Sequence, residues 1–531
     1  MRRYESDVVV VGGGLAGIVA ALELLDAGKR VAIVDRAPAE ELGGLARESF
    51  GGILFVDTPE QRRAKLRDSP EIALRDWLSF GDFGRDPERE KWPRRWAESY
   101  VNESASLYAW LRERGLSFLP MPLWVERNGN SVPRWHVTWG TGEALAGTLA
   151  RRLLAHARRD ALALHFDHRV ESLIEEGGRV AGCRGVGEKD GAPFEARAGA
   201  TLVAAGGING DLDRVRRHWH RDWGSAPRTL LNGAHRFADG KLHDAVGAAG
   251  GHIANLDRMW NYAGGVHHWK PRKPHHGLSL VPPRSALWLD AFGARIGAAQ
   301  VSGFDTRELV TRVCARERQY SWQVLNRRIA LKELAVSGAE FNPSIRAKSM
   351  PRVLRDMLLG NRWVVEQLMN NCIDFVSATS IPDLVDRMNA LQGDDAVRLD
   401  AVAEAVDGYD AEVARGAGAR DEQVRRIARL REWRGDRLRT CEFQKIVDAR
   451  AMPLIAIREF VISRKSLGGI ETDLDSRVLD KRGGAIDGLY AAGEAAGFGG
   501  GGMHGLRSLE GTFLGGCIHS ARRAAASIAK A

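Results

Sequence analysis

Cysteine is scarce. The 531 residues include five, Cys183, Cys314, Cys372, Cys441 and Cys517, none in C-x-x-C spacing. That excludes a disulfide framework and a thiolate zinc site, and it suits a reducing compartment. Long hydrophobic runs are absent too. The one candidate leader, MRRYES and the apolar run after it, carries acids at Glu5, Asp7 and Glu23, unlike a signal peptide. No other stretch is apolar enough to span a bilayer, so no transmembrane segment is expected and the chain reads as soluble and cytoplasmic. There is no internal repeat and no low-complexity tract. The formal charge of +9 invites nucleic acid, but the Arg residues are interleaved with acids and no RNA-binding motif occurs. The charge is read as serving solubility and anionic ligands. In VHHWKPRKPHH the pairs His267-His268 and His275-His276 lack helical i, i+4 spacing and have no acid or Cys beside them. No metal is expected there, and the segment reads as a boundary or flap.

What is present is glycine, 60 residues of it, and a first thirty-five residues that organise the rest. Asp7 to Val11 reads as a short buried strand. Gly12, Gly14 and Gly17 form G-x-G-x-x-G at the mouth of a helix running to Leu25, Gly28 ends that helix, and Val31 to Val34 is a second strand closed by Asp35. Gly12 permits a sharp turn. Gly14 leaves room for a pyrophosphate, which the helix N–H groups attract, and Gly17 allows close helix–strand packing. Asp35 stands where a carboxylate accepts from the ribose hydroxyls of an adenosine. Strand, glycines, helix, strand and acid together predict an ADP-containing cofactor.

Gly43-Gly44 and Gly51-Gly52 suit a loop lying against something flat. Residues 58 to 118 read as mostly helical, with a start signal at Asp68-Ser69-Pro70-Glu71 and a core stripe of Trp96, Tyr100, Leu107 and Leu111. In NSVPRWHVTWGTG, the residues Arg134, Trp135, His136 and Trp139 form either a pocket wall or an ordinary buried turn with a satisfied histidine. A long helix is expected over 143–157. Extended segments follow at 162–166, 169–173 and 179–184, then a buried strand at 200–205 that ends on Gly206-Gly207. From about 304 to 440 the chain reads as helical and charged, a second unit inserted before the first resumes. Residues 453–462 then look like a strand, and Gly488 to Glu494 like another that closes on Gly-Glu, where a carboxylate can hold ribityl hydroxyls. A last helix covers 511–529. Gly497, Gly499 and Gly502 repeat the glycine spacing, but no second strand–helix–strand with a terminal acid follows, so no second dinucleotide site is expected.

These pieces carry a resemblance. The glycine motif, Gly43-Gly44, Ala204-Ala205-Gly206-Gly207, SLGGIETD and GLYAAGEAAG occur in an order similar to that of the FAD-binding dehydrogenases of the fumarate reductase and 3-ketosteroid Δ1-dehydrogenase superfamily. The resemblance implies an α/β chain with a discontinuous Rossmann-type FAD domain (1–265 and 446–531) and an inserted, largely helical α+β cap (266–445). It implies extended FAD with Glu494 near the ribitol. Cofactor contacts are assigned to Gly12, Gly14, Leu15, Ala16, Gly17, Asp35, Arg36, Gly43, Gly44, Val170, Ala205, Gly206, Gly207, Gly493, Glu494, Ser508 and Leu509. Where fumarate reductases have a His before T-M-G-G, this chain has Arg464, and their C-terminal Arg falls at Ser508, beside Arg507. The Y-P-G-x-G tyrosine of the ketosteroid enzymes has no counterpart in GGGGMHGLRSLEG, which leaves Tyr320 and Tyr262 for comparable roles.

The chemistry this implies is hydride transfer between flavin N5 and a carbon beside a carbonyl, a desaturation or an enone reduction, with electrons passed to or from an external partner. Arg464, Lys465, His504 and Arg507 are expected to border the substrate face and stabilise negative charge, with His504 or Tyr320 moving the proton. Two alternatives stand beside this: reduction of a small unsaturated carboxylic acid, and a flavin-carrying nucleic-acid-binding protein.

Overall fold

The strand Arg2–Val11 starts exposed and ends with Val8, Val9, Val10 and Val11 covered on both faces, as a central parallel strand must be. In the computed structural model, which describes residues 1–301 and 305–531, it lies between Val31–Val34 and Pro193–Val203, parallel to both. Leu162–His165 and Ala485–Ala491 extend the sheet, again in parallel. The antiparallel hairpin of His168–Glu176 and Arg179–Gly187 is joined on through Pro193–Val203. Helix Leu15–Asp26 buries ten of its residues and packs against the closing helix Thr512–Lys530. The expected helical region delivers Pro59–Arg63, Pro70–Phe80 and Lys91–Glu113. Ser69 caps the second of these by accepting from the Ile72 N–H at 3.3 Å. Trp96, Tyr100, Leu107 and Leu111 are all buried in the largest core cluster.

A second mixed sheet is formed by strands lying, in the chain, between those of the first. Its longest member, Leu454–Ser466, pairs with Met259–His267, Tyr320–Asn326, Phe375–Ala378 and Leu230–Asn232. The second sheet thus reaches beyond 266–445 at both ends. The reason is physical: an apolar run such as LIAIREFVI is a buried strand in either sheet, and only its pairing decides which. Tyr320–Asn326 departs from the expected helical reading. It is a strand, six of its seven residues buried. The helix formers on both sides mask a short run of Tyr, Trp and Val that favours a pleated, covered site. Helices then cover this sheet, built from 306–314 and from most of 343–437. Phe304, where the helical stretch was expected to open, lies outside the described residues.

Candidate active site

The glycine turn is held by contacts that leave little choice of residue. Gly12 has φ +112°, and a Cβ there would lie 2.5 Å from the Ala204 carbonyl oxygen. A Cβ on Gly17 would lie 1.9 Å from the Gly12 oxygen, which is the close approach expected of it. Gly14 differs: a Cβ there would meet nothing within 4 Å. It faces open space at the N-terminus of Leu15–Asp26, a helix start with no side-chain cap. First-turn N–H groups lack intrahelical partners, so this is a ready anion site. Asp35 accepts from the Gly13 N–H and, at 2.7 Å, from the Ala37 N–H. Arg36 is held by Glu188 and Asp239, 4.4 Å over the Phe237 ring.

Gly12, Gly14, Asp35 and Arg36 line a cavity of about 640 Å³ that runs on to Ala205, Gly206, Gly207, Gly493 and Glu494. Glu494 accepts from the Ser466 N–H at 2.9 Å, and a Cβ on Gly207 would crowd its carboxylate at 2.5 Å. Burial lifts the Glu494 carboxyl to about 7, against the pull of the Ser466 N–H and of Lys465 and Arg464. An open anion site at one end and a buried acceptor carboxylate at the other fit FAD in extended form.

Where the groove passes Glu494 it adjoins a second cavity of about 270 Å³. Phe50, Trp135, Tyr262, Ser337 and Glu510 line both. The second cavity is apolar over most of its wall, with Leu123, Val125, Val281, Leu331, Leu334, Val336, Ile345 and Met357. At the shared wall the Tyr262 hydroxyl donates to Glu510 Oε1 at 2.6 Å, and Trp260 Nε1 donates to the same oxygen at 3.2 Å. Lys465 Nζ lies 3.4 Å from the Tyr262 oxygen and 4.0 Å over the Phe513 ring. Burial draws the Lys465 ammonium down to about 8. Burial, and then the charge of Glu510, push the Tyr262 phenol well above its usual range. Behind this group, Glu126 accepts from the Glu510 N–H at 2.7 Å, and burial raises its carboxyl well above the ordinary range.

Of the residues singled out from the sequence, Gly12, Gly14, Leu15, Ala16, Asp35, Arg36, Gly43, Gly44, Val170, Ala205, Gly206, Gly207, Gly493 and Glu494 all line the groove. Gly17, Ser508 and Leu509 do not. Gly17 acts through packing, and the Ser508 hydroxyl, buried, lies 3.1 Å from that of Thr512. Arg464 lines the groove, donates to the Gly233 carbonyl at 2.8 Å and stands 5.7 Å from the Tyr262 ring centre. Three other expected catalytic residues lie away from both cavities. Tyr320 donates to Gln392 and packs on Phe460. Arg507 pairs with Asp305 over the Phe80 ring. His504 is fully buried among Trp77, Phe498 and Phe513, and neither ring nitrogen has a hydrogen-bond partner among the described residues. Burial, then the nearby Lys465 charge, take its pKa down to about 3.

The segment around 134–139 divides between its two readings. His136 is a satisfied core histidine, bonded to Thr58 and the Arg134 carbonyl, and Arg134 pairs with Asp68 and Asp76. Trp135 alone among the four lines the cavities. The later glycine repeat is a packing device: a Cβ on Gly499 would lie 2.4 Å from the Trp96 ring. Glu510, Glu126 and Phe513 are new to the site. Glu510 had one local signal, an acid just before the glycine that opens the last helix; its partners are remote in sequence.

A family model described as an FAD binding domain matches residues 7–514. A KsdD-like steroid dehydrogenase from Mycolicibacterium smegmatis is 45% identical over 536 residues, covering 96% of each chain. Among solved structures, the open conformation of a flavocytochrome c3 fumarate reductase superposes with a TM-score of 0.70 at 20% identity, over 99% of this chain and 78% of that one. A 3-ketosteroid delta1-dehydrogenase from Sterolibacterium denitrificans, in complex with 1,4-androstadiene-3,17-dione, gives 0.69 at 16% identity over 99% of both chains. The two structures establish likeness of fold, and the family match and the 45% relative go further: the chain belongs to the FAD-binding domain family and is an FAD-dependent dehydrogenase or reductase.

Proposed function

We propose that this enzyme makes or removes a C=C bond beside a carbonyl in a rigid apolar substrate of steroid type, held in the second cavity. The observation that carries the reading is the Tyr262–Glu510 pair in the wall that the cofactor groove and the apolar cavity share. Support comes from the steroid dehydrogenase named above and from the predominantly apolar cavity lining, although Arg284, Lys332 and Arg439 also border it.

FAD, when bound, supplies the hydride acceptor or donor. The proton is left to the chain. In desaturation the Tyr262 oxygen takes the α-proton of the substrate while its own proton passes to the Glu510 carboxylate, so one proton is stored at Glu510. In the reverse direction the same pair returns it. Lys465 and Arg464 supply fixed positive charge where the enolate oxygen would develop. Trp260 and the Glu510 N–H contact to Glu126 hold the carboxylate in place. Electrons leave to an external acceptor or enter from an external donor.

Anaerobic titration tests this. A 3-ketosteroid should bleach the flavin absorbance, or its unsaturated product should reoxidise the dithionite-reduced enzyme, whereas succinate and fumarate should do neither. Silence with every ketosteroid and enone, in both directions, would overturn the reading.

A further inference from the structure

Among the described residues, eleven large apolar side chains are exposed, and five of these lie between 350 and 363. Met350 is 39% exposed, Leu354 50%, Leu358 69%, Leu359 77% and Trp363 41%. Apolar area gathered in this way marks a surface that something covers. Helix Met350–Leu359 carries four of the five and has no buried residue. It is nonetheless part of the site, because Val353 and Met357 line the apolar cavity. Met350, Leu354 and Leu358 follow one another at i, i+4 and so share a row, and that row runs beside the one formed by Val353 and Met357. The helix is therefore apolar toward the cavity and apolar toward solvent, a wall one helix thick.

The charges around it are predominantly positive: Arg346 reaches Glu143 at 3.8 Å, but five cations stand against one acid between 343 and 363. Arg346, Lys348, Arg352, Arg355 and Arg362 are all exposed. The single acid from 343 to 363, Asp356, is occupied by Arg355 at 2.8 Å and Ser344 at 2.5 Å. Leucine and tryptophan edged by arginine and lysine suit a helix lying in the headgroup layer of an anionic bilayer. A symmetric contact with a second copy would set Lys348, Arg352 and Arg362, the three of these cations with no ion pair among the described residues, against those of the other chain, which argues for lipid over self-association.

We propose that the helix Met350–Leu359 docks the protein on an anionic lipid surface, with the wall of the apolar cavity against the bilayer. That this gives a lipid-soluble substrate a short path inward rests on the function proposed above; the docking itself does not.

Co-sedimentation of the FAD-loaded enzyme with vesicles tests it. The enzyme should pellet with phosphatidylcholine vesicles containing phosphatidylglycerol, be released by salt, and stay in solution with phosphatidylcholine alone. Leu354→Asp with Leu358→Asp should weaken vesicle binding about tenfold or more, and Arg352→Ala about fivefold. The flavin spectrum of each variant reports an intact fold. The proposal is overturned if the wild type ignores the anionic vesicles, if the double variant binds as the wild type does, or if light scattering shows a dimer that the double variant dissolves. Turnover of a ketosteroid without vesicle binding would sink the docking alone. Vesicle binding without turnover of any ketosteroid would support the docking and sink the functional reading.

Discussion

Tyr262 and Tyr320 look alike in the sequence: each is a lone tyrosine in a mixed run. The second sheet separates them. Tyr262 pairs opposite Ile462 and Tyr320 opposite Phe460, and of the two only Tyr262 lines the cavities. Its partner Glu510 is 248 residues away, so no local pattern announces the pair. If Tyr262 moves the proton, Tyr262→Phe should lower kcat by about two to four orders of magnitude. KM and the flavin spectrum should change little, because the ring remains. A Tyr262→Phe enzyme that turns over within a fewfold of wild type would remove the tyrosine from the chemistry. Glu510→Gln keeps the shape and loses the proton store, and it should fall in kcat with it.

Lys465 gives the same chemistry a pH signature. Its ammonium is drawn down from 10.5 to about 8, so the charge is present below that value and disappears as pH rises through it. If that charge stabilises the enolate, kcat should decline above about pH 8, and Lys465→Met should be slow throughout with that limb gone. The linkage to stability runs the other way. Between about 8 and 10.5 the unfolded chain holds the proton that the native lysine has released, so this residue contributes a gain in stability as pH rises across that window. Activity falling while stability holds would separate the titration of Lys465 from unfolding.

At the scale of the element, the strand–glycine–helix–strand unit was legible because each of its parts is local. Gly12, Gly14 and Gly17 sit within six residues, and Asp35 follows on the next strand. Their separate tasks make a paired test. A Cβ at Gly14 enters empty space at an ordinary φ of −70°, so Gly14→Ala should leave the melting temperature of the apoprotein within about a degree or two, the small effect expected of an exposed substitution away from packed features. If it stands where the diphosphate comes closest, as proposed, FAD affinity should fall about tenfold or more. Gly17→Ala must instead push the helix off the strand, since its Cβ would lie 1.9 Å from a backbone oxygen. It should lower the melting temperature and the affinity together. Fluorescence titration of FAD and thermal melting of the apoprotein read both; equal effects from the two variants would mean that Gly14 is a packing residue as well. The strand Tyr320–Asn326 was illegible for the opposite reason. Its identity comes from pairing with 454–460, and its neighbours in sequence are helix formers.

At the scale of the molecule, the strand Leu454–Ser466 joins the two halves of the site. Its body pairs inside the second sheet, while Arg464 and Lys465 near its end line the groove and the Ser466 N–H donates to Glu494, which lines it too. A ligand that orders Glu494 must therefore act on the end of a strand belonging to the other sheet. Binding to the native state alone stabilises it by mass action, and local opening near the ligand is suppressed first. Hydrogen exchange should show this direction. Adding FAD to the apoprotein should slow exchange most at Ser466 and through the C-terminal half of 454–466, and much less at Leu287–Asp290, the edge strand of the same sheet. Glu494→Ala should weaken FAD binding about tenfold, as expected for loss of a charge-assisted acceptor, and should abolish the extra protection at Ser466 even at saturating FAD. Uniform protection of both strands would mean that the second sheet responds as one rigid body. No protection at Ser466 would mean that Glu494 holds the strand without sensing the cofactor.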